Sequence, residues 1–241
     1  MKENQIRVTN TPGVLNDDVA DIALTLILTT NRNIINADKY ARSRLWEKSP
    51  MPYGSGLAGK TLGIVGFGRI GEAVAERVLP LKLKIAYHNR TKKDSPHKYF
   101  ASLIDLAQNS DILLCILPGG QDTEKVINKD VLKALGPTGI FINIGRGTSV
   151  DENSLIEFLA NKKIAAAGLD VYAEEPSIPK ALRELDNTVL LPHIGSATIE
   201  TRDAMGDLVL KNLETFFSKN ELVTEVKYQK AIKLLNQYVR S

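Results

Sequence analysis

Between residues 61 and 191 the sequence alternates short apolar segments with amphipathic helices. The apolar segments, predicted to be strands, cover residues 61–65, 84–88, 112–117, 139–144, 166–169 and 189–191. The helices predicted between them include residues 69–78, 102–107, 129–135 and 152–161. A strand that is apolar along its whole length needs cover on both faces, and helical crossovers between parallel strands provide it. The pattern therefore predicts an α/β fold with a doubly wound parallel sheet.

Helices are also predicted on either side of this region. Residues 16–33 begin with cap-type residues and continue as an almost wholly apolar helix from Val19 to Leu28. Burial against a partner or in its own domain core would explain that apolar surface equally well. A more polar helix is predicted at residues 37–46, and a break rich in proline and glycine follows at residues 49–59. An amphipathic helix at residues 198–219 comes last, before a polar tail.

Composition narrows the class of protein. The chain has 241 residues, 31 basic and 28 acidic, with a net charge of +3 and no long run of one sign, so neither nucleic acid nor a membrane is expected as a partner. Its single cysteine, Cys115, lies in an apolar run and is predicted to be a core residue rather than a nucleophile. Residues 1–5 have no apolar signal segment, and no stretch approaches the roughly 18 apolar residues of a membrane span, which makes the cytosol the expected compartment.

A glycine-rich loop follows the first predicted strand. It reads Gly66-Phe67-Gly68-Arg69-Ile70-Gly71 and leads directly into a helix. Such a pattern alone can be an ordinary turn, but between a strand and a helix it directs free backbone N–H groups and the positive end of the helix dipole at an anion. Gly66 allows the tight turn, Gly68 the approach of a pyrophosphate, and Gly71 close packing of helix and strand. The chain is thus predicted to hold a Rossmann-type dinucleotide-binding domain.

The end of the second strand indicates which dinucleotide is bound. An acidic residue commonly accepts the ribose 2'-hydroxyl of NAD at this place, but residues 88–93 contain no carboxylate. They contain Arg90, Thr91, Lys92 and Lys93 instead, a set suited to a 2'-phosphate, with Arg90 able to bind it in a bidentate manner. NADP(H) is therefore expected to be preferred, with NAD(H) possible. The alternative is a solvated basic loop without a ligand.

Three later segments each follow a predicted strand and would meet at the carboxyl edge of the sheet, together with the glycine loop. They cover residues 143–151, 168–176 and 191–198, and they bring Arg146, Glu175 and His193 to one cleft. Taken singly, each residue has an ordinary explanation. The arginine could be a surface residue, Glu174 and Glu175 a solvated pair, and the histidine structural.

In order and spacing these motifs resemble the D-isomer-specific 2-hydroxyacid dehydrogenases, most closely their glyoxylate/hydroxypyruvate reductase branch. The similarity runs from about Ile6 to Val223 and includes residues 8–12, Trp46 and residues 57–66. It implies that His193 is the general acid/base, that Glu175, rather than Glu174, orients the imidazole, and that Arg146 binds the substrate carboxylate. An imidazole suits proton exchange near neutral pH, and a guanidinium fork suits a carboxylate.

The resemblance also implies a set of cofactor contacts. Asp170 is expected near the nicotinamide carboxamide. The full set is Gly66, Gly68, Arg69, Ile70, Gly71, Asn89, Arg90, Thr91, Leu117, Pro118, Ile144, Gly145, Arg146, Asp170, His193, Gly195 and Ser196. No metal is expected.

The resemblance suggests a division of the chain. Residues 1–14 would be a hinge and the end of a substrate-binding domain, a remnant of a second domain, most of which would precede Ile6. Residues 15–197 would form the dinucleotide-binding domain. Residues 198–226 would return as a helix to the substrate domain, and residues 227–241 would form a polar tail with apolar residues at roughly helical spacing and no assigned role. A homodimer joined through residues 16–57 is expected.

Two functions remain open at this point. The first is a reductase of a small 2-oxo acid such as glyoxylate or hydroxypyruvate, whose activity would be impaired if the substrate domain is missing. The second is a cofactor-binding, dimerising module without turnover, in the manner of the family's corepressor branch. The intact Arg146, Glu175 and His193 favour chemistry. A phosphoglycerate or formate dehydrogenase is less favoured because of the basic loop and the short chain.

Overall fold

A seven-stranded parallel sheet forms the centre of the computed structural model, which describes residues 6–226. Its order is β3-β2-β1-β4-β5-β6-β7. The strands are β1 (Thr61–Val65), β2 (Lys84–His88), β3 (Lys98–Tyr99), β4 (Ile112–Cys115), β5 (Ile140–Asn143), β6 (Ala166–Leu169) and β7 (Thr188–Leu190). Because β1 pairs in parallel with both β2 and β4, the strand order reverses between β1 and β4. A crevice at the carboxyl ends of the strands opens at such a point, which is where doubly wound sheets bind ligands.

Helices cover both faces of the sheet, as predicted. They are α1 (Asn16–Asn31), α2 (Ile34–Arg42), α3 (Arg69–Val78), α4 (Leu103–Gln108), α5 (Lys129–Leu135), α6 (Glu152–Ala160), α7 (Lys180–Arg183) and α8 (Ile199–Lys219). One hydrophobic cluster lies between the sheet and the pair α1 and α3, and a second lies between the sheet and helices α4 to α6. Neighbouring residues of one strand enter opposite clusters, Ile64 the first and Val65 the second, because strand side chains alternate between faces. Two-sided burial thus explains the wholly apolar strands.

The long apolar helix α1 belongs to the core of its own domain. Ala23, Leu26 and Ile27 are fully buried in the first cluster, and α1 packs on α3 and on β5 and β6. Cys115 is likewise fully buried, in the second cluster, and burial raises the pKa of its thiol. The prediction that this cysteine is a core residue is confirmed.

The boundaries of several elements differ from the prediction. The helix expected at residues 37–46 runs from Ile34 to Arg42, because Asn33 in a left-handed conformation starts it and Arg44, also left-handed, separates it from a 3-10 turn at Leu45–Glu47. The two-residue strand β3 and the four-residue helix α7 were not predicted, since both are too short for a periodic pattern. β3 forms a strand because it pairs with Ala86 and Tyr87 of β2 at the edge of the sheet.

The two ends of the described chain are joined to each other. The backbone of Val8 and Asn10 bonds that of Val226 and Thr224, and Arg7 forms an ion pair with Glu225 at 2.8 Å. α8 has exposed apolar residues along one side, at Ile199, Leu210, Leu213 and Phe217. Within residues 6–226, no helix combines the length and the apolar character that a membrane crossing requires. The apolar residues noted in the tail at 227–241 lie outside the described residues.

Candidate active site

Loops from three adjacent strands form the candidate active site. Arg146 follows β5, Glu175 follows β6 and His193 follows β7, and these strands are parallel neighbours in the sheet. The carboxyl ends of parallel strands meet at one edge, which also carries the glycine loop after β1. The edge therefore gathers the residues that the sequence singled out.

His193 and Glu175 form a hydrogen-bonded pair. His193 Nδ1 lies 2.6 Å from Glu175 Oε2, and the other carboxylate oxygen, Oε1, accepts a hydrogen bond from the backbone N–H of Tyr172 at 3.0 Å. Their side chains are 43% and 32% exposed, so the pair is open to a ligand. A carboxylate that accepts the Nδ1 proton fixes the tautomer and the orientation of the imidazole. Nε2 is then the ring nitrogen left for proton exchange with a substrate.

The backbone of His193 is held in an uncommon conformation. Its φ of 55° places it in the left-handed region, which side chains other than glycine rarely adopt. Asp170, which is buried, accepts the backbone N–H of Ile194 and that of Gly195, each at 2.8 Å, one on each carboxylate oxygen. Burial raises the pKa of Asp170, although these two hydrogen bonds and the nearby His193 oppose that rise. We expected this carboxylate near the cofactor amide; here both of its oxygens hold the loop that carries His193.

Arg146 lies on the same edge but is not bonded to the pair. Its side chain is exposed, and Nη1 donates to the carbonyl of Gly145 at 2.7 Å. Among residues 6–226 we find no hydrogen bond or ion pair between Arg146 and either His193 or Glu175. The guanidinium is thus available to an incoming anion.

Two residues that the sequence analysis did not single out shape these loops. Asn143, buried at the end of β5, donates to the carbonyl of Arg146 at 3.1 Å and accepts the N–H of Gly145 at 3.1 Å. Tyr172 donates its hydroxyl to the carbonyl of Leu191 at 2.9 Å, and burial raises its pKa. A polar residue at the end of an otherwise apolar strand was the signal for Asn143. Tyr172 had no comparable signal.

The glycine loop has the geometry of an anion cradle. Gly66 is left-handed, with φ at 95°, and a Cβ there would lie 3.0 Å from the carbonyl oxygen of Ile116. A Cβ on Gly68 would meet no atom within 4 Å, so the space above this residue is open. A Cβ on Gly71 would lie 3.2 Å from the ring of Phe67, which is consistent with close packing of helix and strand. The first-turn amides of α3, from Arg69 to Gly71, face no acceptor inside the helix. These features suit a pyrophosphate.

Asn89 holds the glycine loop from the end of β2. Its Oδ1 accepts the N–H of Phe67 at 2.7 Å, and its Nδ2 donates to the carbonyl of Phe67 at 3.0 Å. The side-chain amide of Asn89 thus holds the backbone of the glycine loop, and the cofactor contact expected of this residue stays a prediction.

The basic loop after β2 has an exposed part and a paired part. Arg90 has an 87% exposed side chain, with Nη1 3.6 Å from Asp122 Oδ2, and Thr91 and Lys92 are exposed. Lys93 instead forms a short ion pair with Glu72 on α3. Of the four residues proposed from the sequence for a 2'-phosphate, Arg90, Thr91 and Lys92 are thus exposed, whereas the ammonium group of Lys93 is paired with Glu72.

Leu117 passes close to Gly66 of the glycine loop and to Gly145 after β5. A Cβ on Gly145 would lie 2.5 Å from the carbonyl oxygen of Leu117, which explains why a residue without a side chain is needed there. Ile144 and Gly145 are buried, whereas Pro118 is exposed at the edge. Ser196 is partly exposed in the loop that follows His193.

A cavity of about 330 Å³ lies beside this site, lined by Glu124, Lys125, Thr148, Asp151, Glu152 and Glu174 among others. Burial raises the pKa of Glu152, and the charge of Glu174 adds to this effect. The lining does not include His193, Glu175 or Arg146. This cavity is therefore a separate feature from the open edge where the candidate catalytic residues lie.

Comparison with known proteins agrees with the geometry. Residues 24–195 match the model of the D-isomer specific 2-hydroxyacid dehydrogenase, NAD binding domain. Glyoxylate/hydroxypyruvate reductase A of Arabidopsis thaliana is 47% identical over 226 residues, covering 93% of this chain and 72% of that protein. Hydroxyphenylpyruvate reductase of Plectranthus scutellarioides is 48% identical over 226 residues, with the same coverage of 93% and 72%.

Solved structures give the same result. The NADPH-dependent glyoxylate/hydroxypyruvate reductase of Sinorhizobium meliloti, in complex with NADP and malonate, superposes with a TM-score of 0.90 at 44% identity. The match covers 95% of this chain and 73% of that one. Fold, motifs and overall similarity thus lead to one family.

Proposed function

This chain belongs to the D-isomer-specific 2-hydroxyacid dehydrogenase family of NAD(P)-dependent oxidoreductases, and we propose that it reduces a small 2-oxo acid, glyoxylate or hydroxypyruvate, with NADPH. The observation that carries the proposal is the pair of His193 and Glu175, 2.6 Å apart, on the sheet edge that also holds the glycine loop. A proton donor and a dinucleotide cradle on one edge are the two things that reduction of a carbonyl requires.

Each residue of the site has one task in this proposal. Bound NADPH supplies the hydride that adds to the carbonyl carbon. His193 gives a proton from Nε2 to the carbonyl oxygen, which completes the 2-hydroxy acid. Glu175 keeps the imidazole oriented through its hydrogen bond to Nδ1. Arg146 binds the substrate carboxylate with its planar fork of donors.

The preference for NADPH rests on charge at the end of β2. Arg90 and Lys92 are exposed there, and residues 88–93 contain no carboxylate to accept a 2'-hydroxyl. A 2'-phosphate would gain charge-assisted hydrogen bonds from Arg90 that a hydroxyl would not. The S. meliloti relative binds NADP, which agrees with this reading. NADH is proposed as a weaker alternative.

The direct test is NADPH oxidation by the purified chain with glyoxylate, hydroxypyruvate and hydroxyphenylpyruvate, run beside NADH. We expect turnover with the two smaller acids and a preference for NADPH. His193→Ala should abolish turnover and leave NADPH affinity nearly unchanged, because the imidazole acts on the proton and not on the cradle. Turnover by His193→Ala equal to that of the parent chain would refute the assigned role.

One observation favours a second candidate, a cofactor-binding module without turnover. His193 and Arg146 are open to solvent in residues 6–226, and a site that does not exclude water binds its transition state weakly. Tight NADPH binding without oxidation of NADPH, for all three acids, would support this module. The same assay therefore separates the two candidates.

The segment from Arg32 to Gly56 supports a homodimer as a further proposal. No residue of α2 is buried by the described part of the chain, and Ile34, Trp46 and Tyr53 are exposed apolar residues of this segment. We expect a second copy to cover them, since exposed apolar patches mark interaction sites. Sedimentation of Trp46→Glu should give a lower mass than the parent chain, with Phe217→Glu on α8 as the matched control. Trp46 is the single tryptophan, so its emission should shift with protein concentration.

A further inference from the structure

The loop that carries His193 is short and is fixed near its start. It spans residues 191–198, between β7 and α8. Asp170 holds the N–H groups of Ile194 and Gly195, and a turn within the loop joins the N–H of Ala197 to the carbonyl of Ile194 at 3.0 Å. Because these bonds tie successive residues of the loop together, we expect whatever fixes its far end to affect the position of His193 as well.

The far end of the loop is fixed by a carboxylate from another helix. Asp18, in the first turn of α1, accepts a short hydrogen bond from the hydroxyl of Thr198 and a second, at 2.6 Å, from the hydroxyl of Thr201. Thr198 also caps α8, since its Oγ1 accepts the N–H of Thr201 at 3.1 Å. These contacts bring together residues 180 and 183 positions apart in the sequence.

The same turn of α1 is bound to the helix of the glycine loop. Arg77 on α3 forms ion pairs with Asp17 at 2.9 Å and with Asp21 at 2.6 Å. The hydrogen bonds from the hydroxyls of Thr198 and Thr201 lower the pKa of Asp18, and the positive charge of this same Arg77 also lowers it. The first turn of α1 thus connects the cofactor cradle on one side with the His193 loop on the other.

We propose that Asp18 is a positioning residue. It keeps His193 at a fixed position relative to the glycine loop by anchoring Thr198 and Thr201 to α1. This inference rests on the proposed function, because it assumes that His193 acts on a substrate beside the cofactor. Asp18 touches neither the substrate nor the reacting atoms; it acts through the loop. The lowered pKa of its carboxyl, caused first by the Thr198 hydroxyl, agrees with a well-made anchor.

The first experiment needs no turnover. Long-range ¹H–¹⁵N spectra report the ring nitrogens of each histidine, and the chain has three, His88, His97 and His193, so assignment by His193→Ala is direct. Asp18→Asn and Thr198→Val should each change the Nδ1 and Nε2 shifts of His193, because the bond to Glu175 loosens. Thr198→Ser keeps the hydroxyl and should restore the parent spectrum.

Asp17→Asn is the matched control. It removes the same charge from the same helical turn, while Arg77 keeps its ion pair with Asp21. We expect the His193 ring shifts of this variant to equal those of the parent chain. If Asp17→Asn changes them as much as Asp18→Asn does, the effect belongs to the charge of the helix terminus and the anchor is refuted. Unchanged ring shifts in folded Asp18→Asn and Thr198→Val refute it as well.

Kinetics give the second readout. Asp18→Asn should lower kcat about 10- to 100-fold, the range expected when a catalytic group is misplaced by about 1 Å. Its Kd for NADPH should stay within about twofold of the parent value. An equal loss in NADPH binding would mean general damage to the domain and would overturn the proposal. If the parent chain shows no turnover, the proposed function fails while the ring spectra still decide the role of Asp18.

Discussion

Glu175 uses both oxygens of its carboxylate: Oε2 lies 2.6 Å from His193 Nδ1, and Oε1 accepts the N–H of Tyr172 at 3.0 Å. The bond to the Tyr172 backbone prevents the carboxylate from turning away from the imidazole. A carboxylate bonded to Nδ1 leaves Nε2 as the ring nitrogen that can exchange a proton with a substrate, and reduction of a 2-oxo acid consumes a proton. The orientation of the imidazole is thus set by a residue that follows a different strand.

Glu175→Gln tests this relationship through the rate of reduction. A glutamine has one acceptor oxygen, so it cannot accept from both His193 and the N–H of Tyr172 as the carboxylate does, and the imidazole loses its fixed orientation. We expect kcat to fall about 10- to 100-fold, the range for a catalytic group misplaced by about 1 Å. Glu174→Gln is the matched control, because Glu174 is the exposed neighbour and has no hydrogen bond to His193 in residues 6–226. A loss of equal size in both variants would contradict the prediction.

Arg90→Ala tests the choice of cofactor. The guanidinium is exposed at the end of β2, where a 2'-phosphate would lie, and a hydrogen bond to a charged group contributes about 1.5–3 kcal/mol. Affinity for NADPH should therefore fall about tenfold or more, and affinity for NADH should remain unchanged. Arg44→Ala removes another exposed arginine, paired only locally with Glu47, and should affect neither cofactor. Equal losses for NADPH and NADH in Arg90→Ala would refute the phosphate site.

Two glycines of the site should respond differently to alanine. At Gly145 the new Cβ would lie 2.5 Å from the oxygen and 2.8 Å from the nitrogen of the Leu117 backbone, so Gly145→Ala should destabilise the fold by about 1–3 kcal/mol. At Gly68 the Cβ meets no atom within 4 Å, so Gly68→Ala should keep the free energy of unfolding and lose cofactor affinity. Urea unfolding and NADPH titration of both variants measure these effects. Gly206→Ala, also without near neighbours, is the control.

The sequence predicted most of the fold because the strands are apolar on both sides. Two-sided burial is visible without any tertiary knowledge, so β1, β2 and β6 were predicted with the boundaries that the structure has. β3 could not be predicted, since its two residues form a strand only because β2 offers a free edge. The end of α2 depends on the left-handed backbone conformation of Arg44, which the residue type does not predict.

The sequence predicted which residues lie at the site better than it predicted the hydrogen bonds that they form. His193 and Glu175 were paired in the prediction, and the structure joins them. The cofactor contacts expected of Asp170 and Asn89 stay predictions, and the structure adds that both side chains bond backbone amides of the protein loops. Asp18 carried no signal, because a carboxylate in the first turn of a helix is ordinary and its partners lie far along the sequence. Long-range hydrogen bonds of this kind follow from the folded topology alone.

Asp18 also gives a prediction for acid unfolding. Hydrogen bonds from Thr198 and then Thr201 lower the pKa of Asp18 below its unfolded value of about 3.9, so its contribution to stability is fully present above that pH. The contribution is lost as the pH falls through the lower, folded pKa. Asp18→Asn lacks a titrating group, so the stability difference between the parent chain and this variant should shrink as the pH is lowered from about 5 towards 2. Thermal unfolding across this range measures this stability difference. Thr198→Val removes the first hydroxyl donor, so the stability that the Asp18 carboxylate contributes should be smaller in that variant. A gap in Tm between the parent chain and Asp18→Asn that stays constant over the whole range would show that the hydroxyls do not stabilise the charged carboxylate.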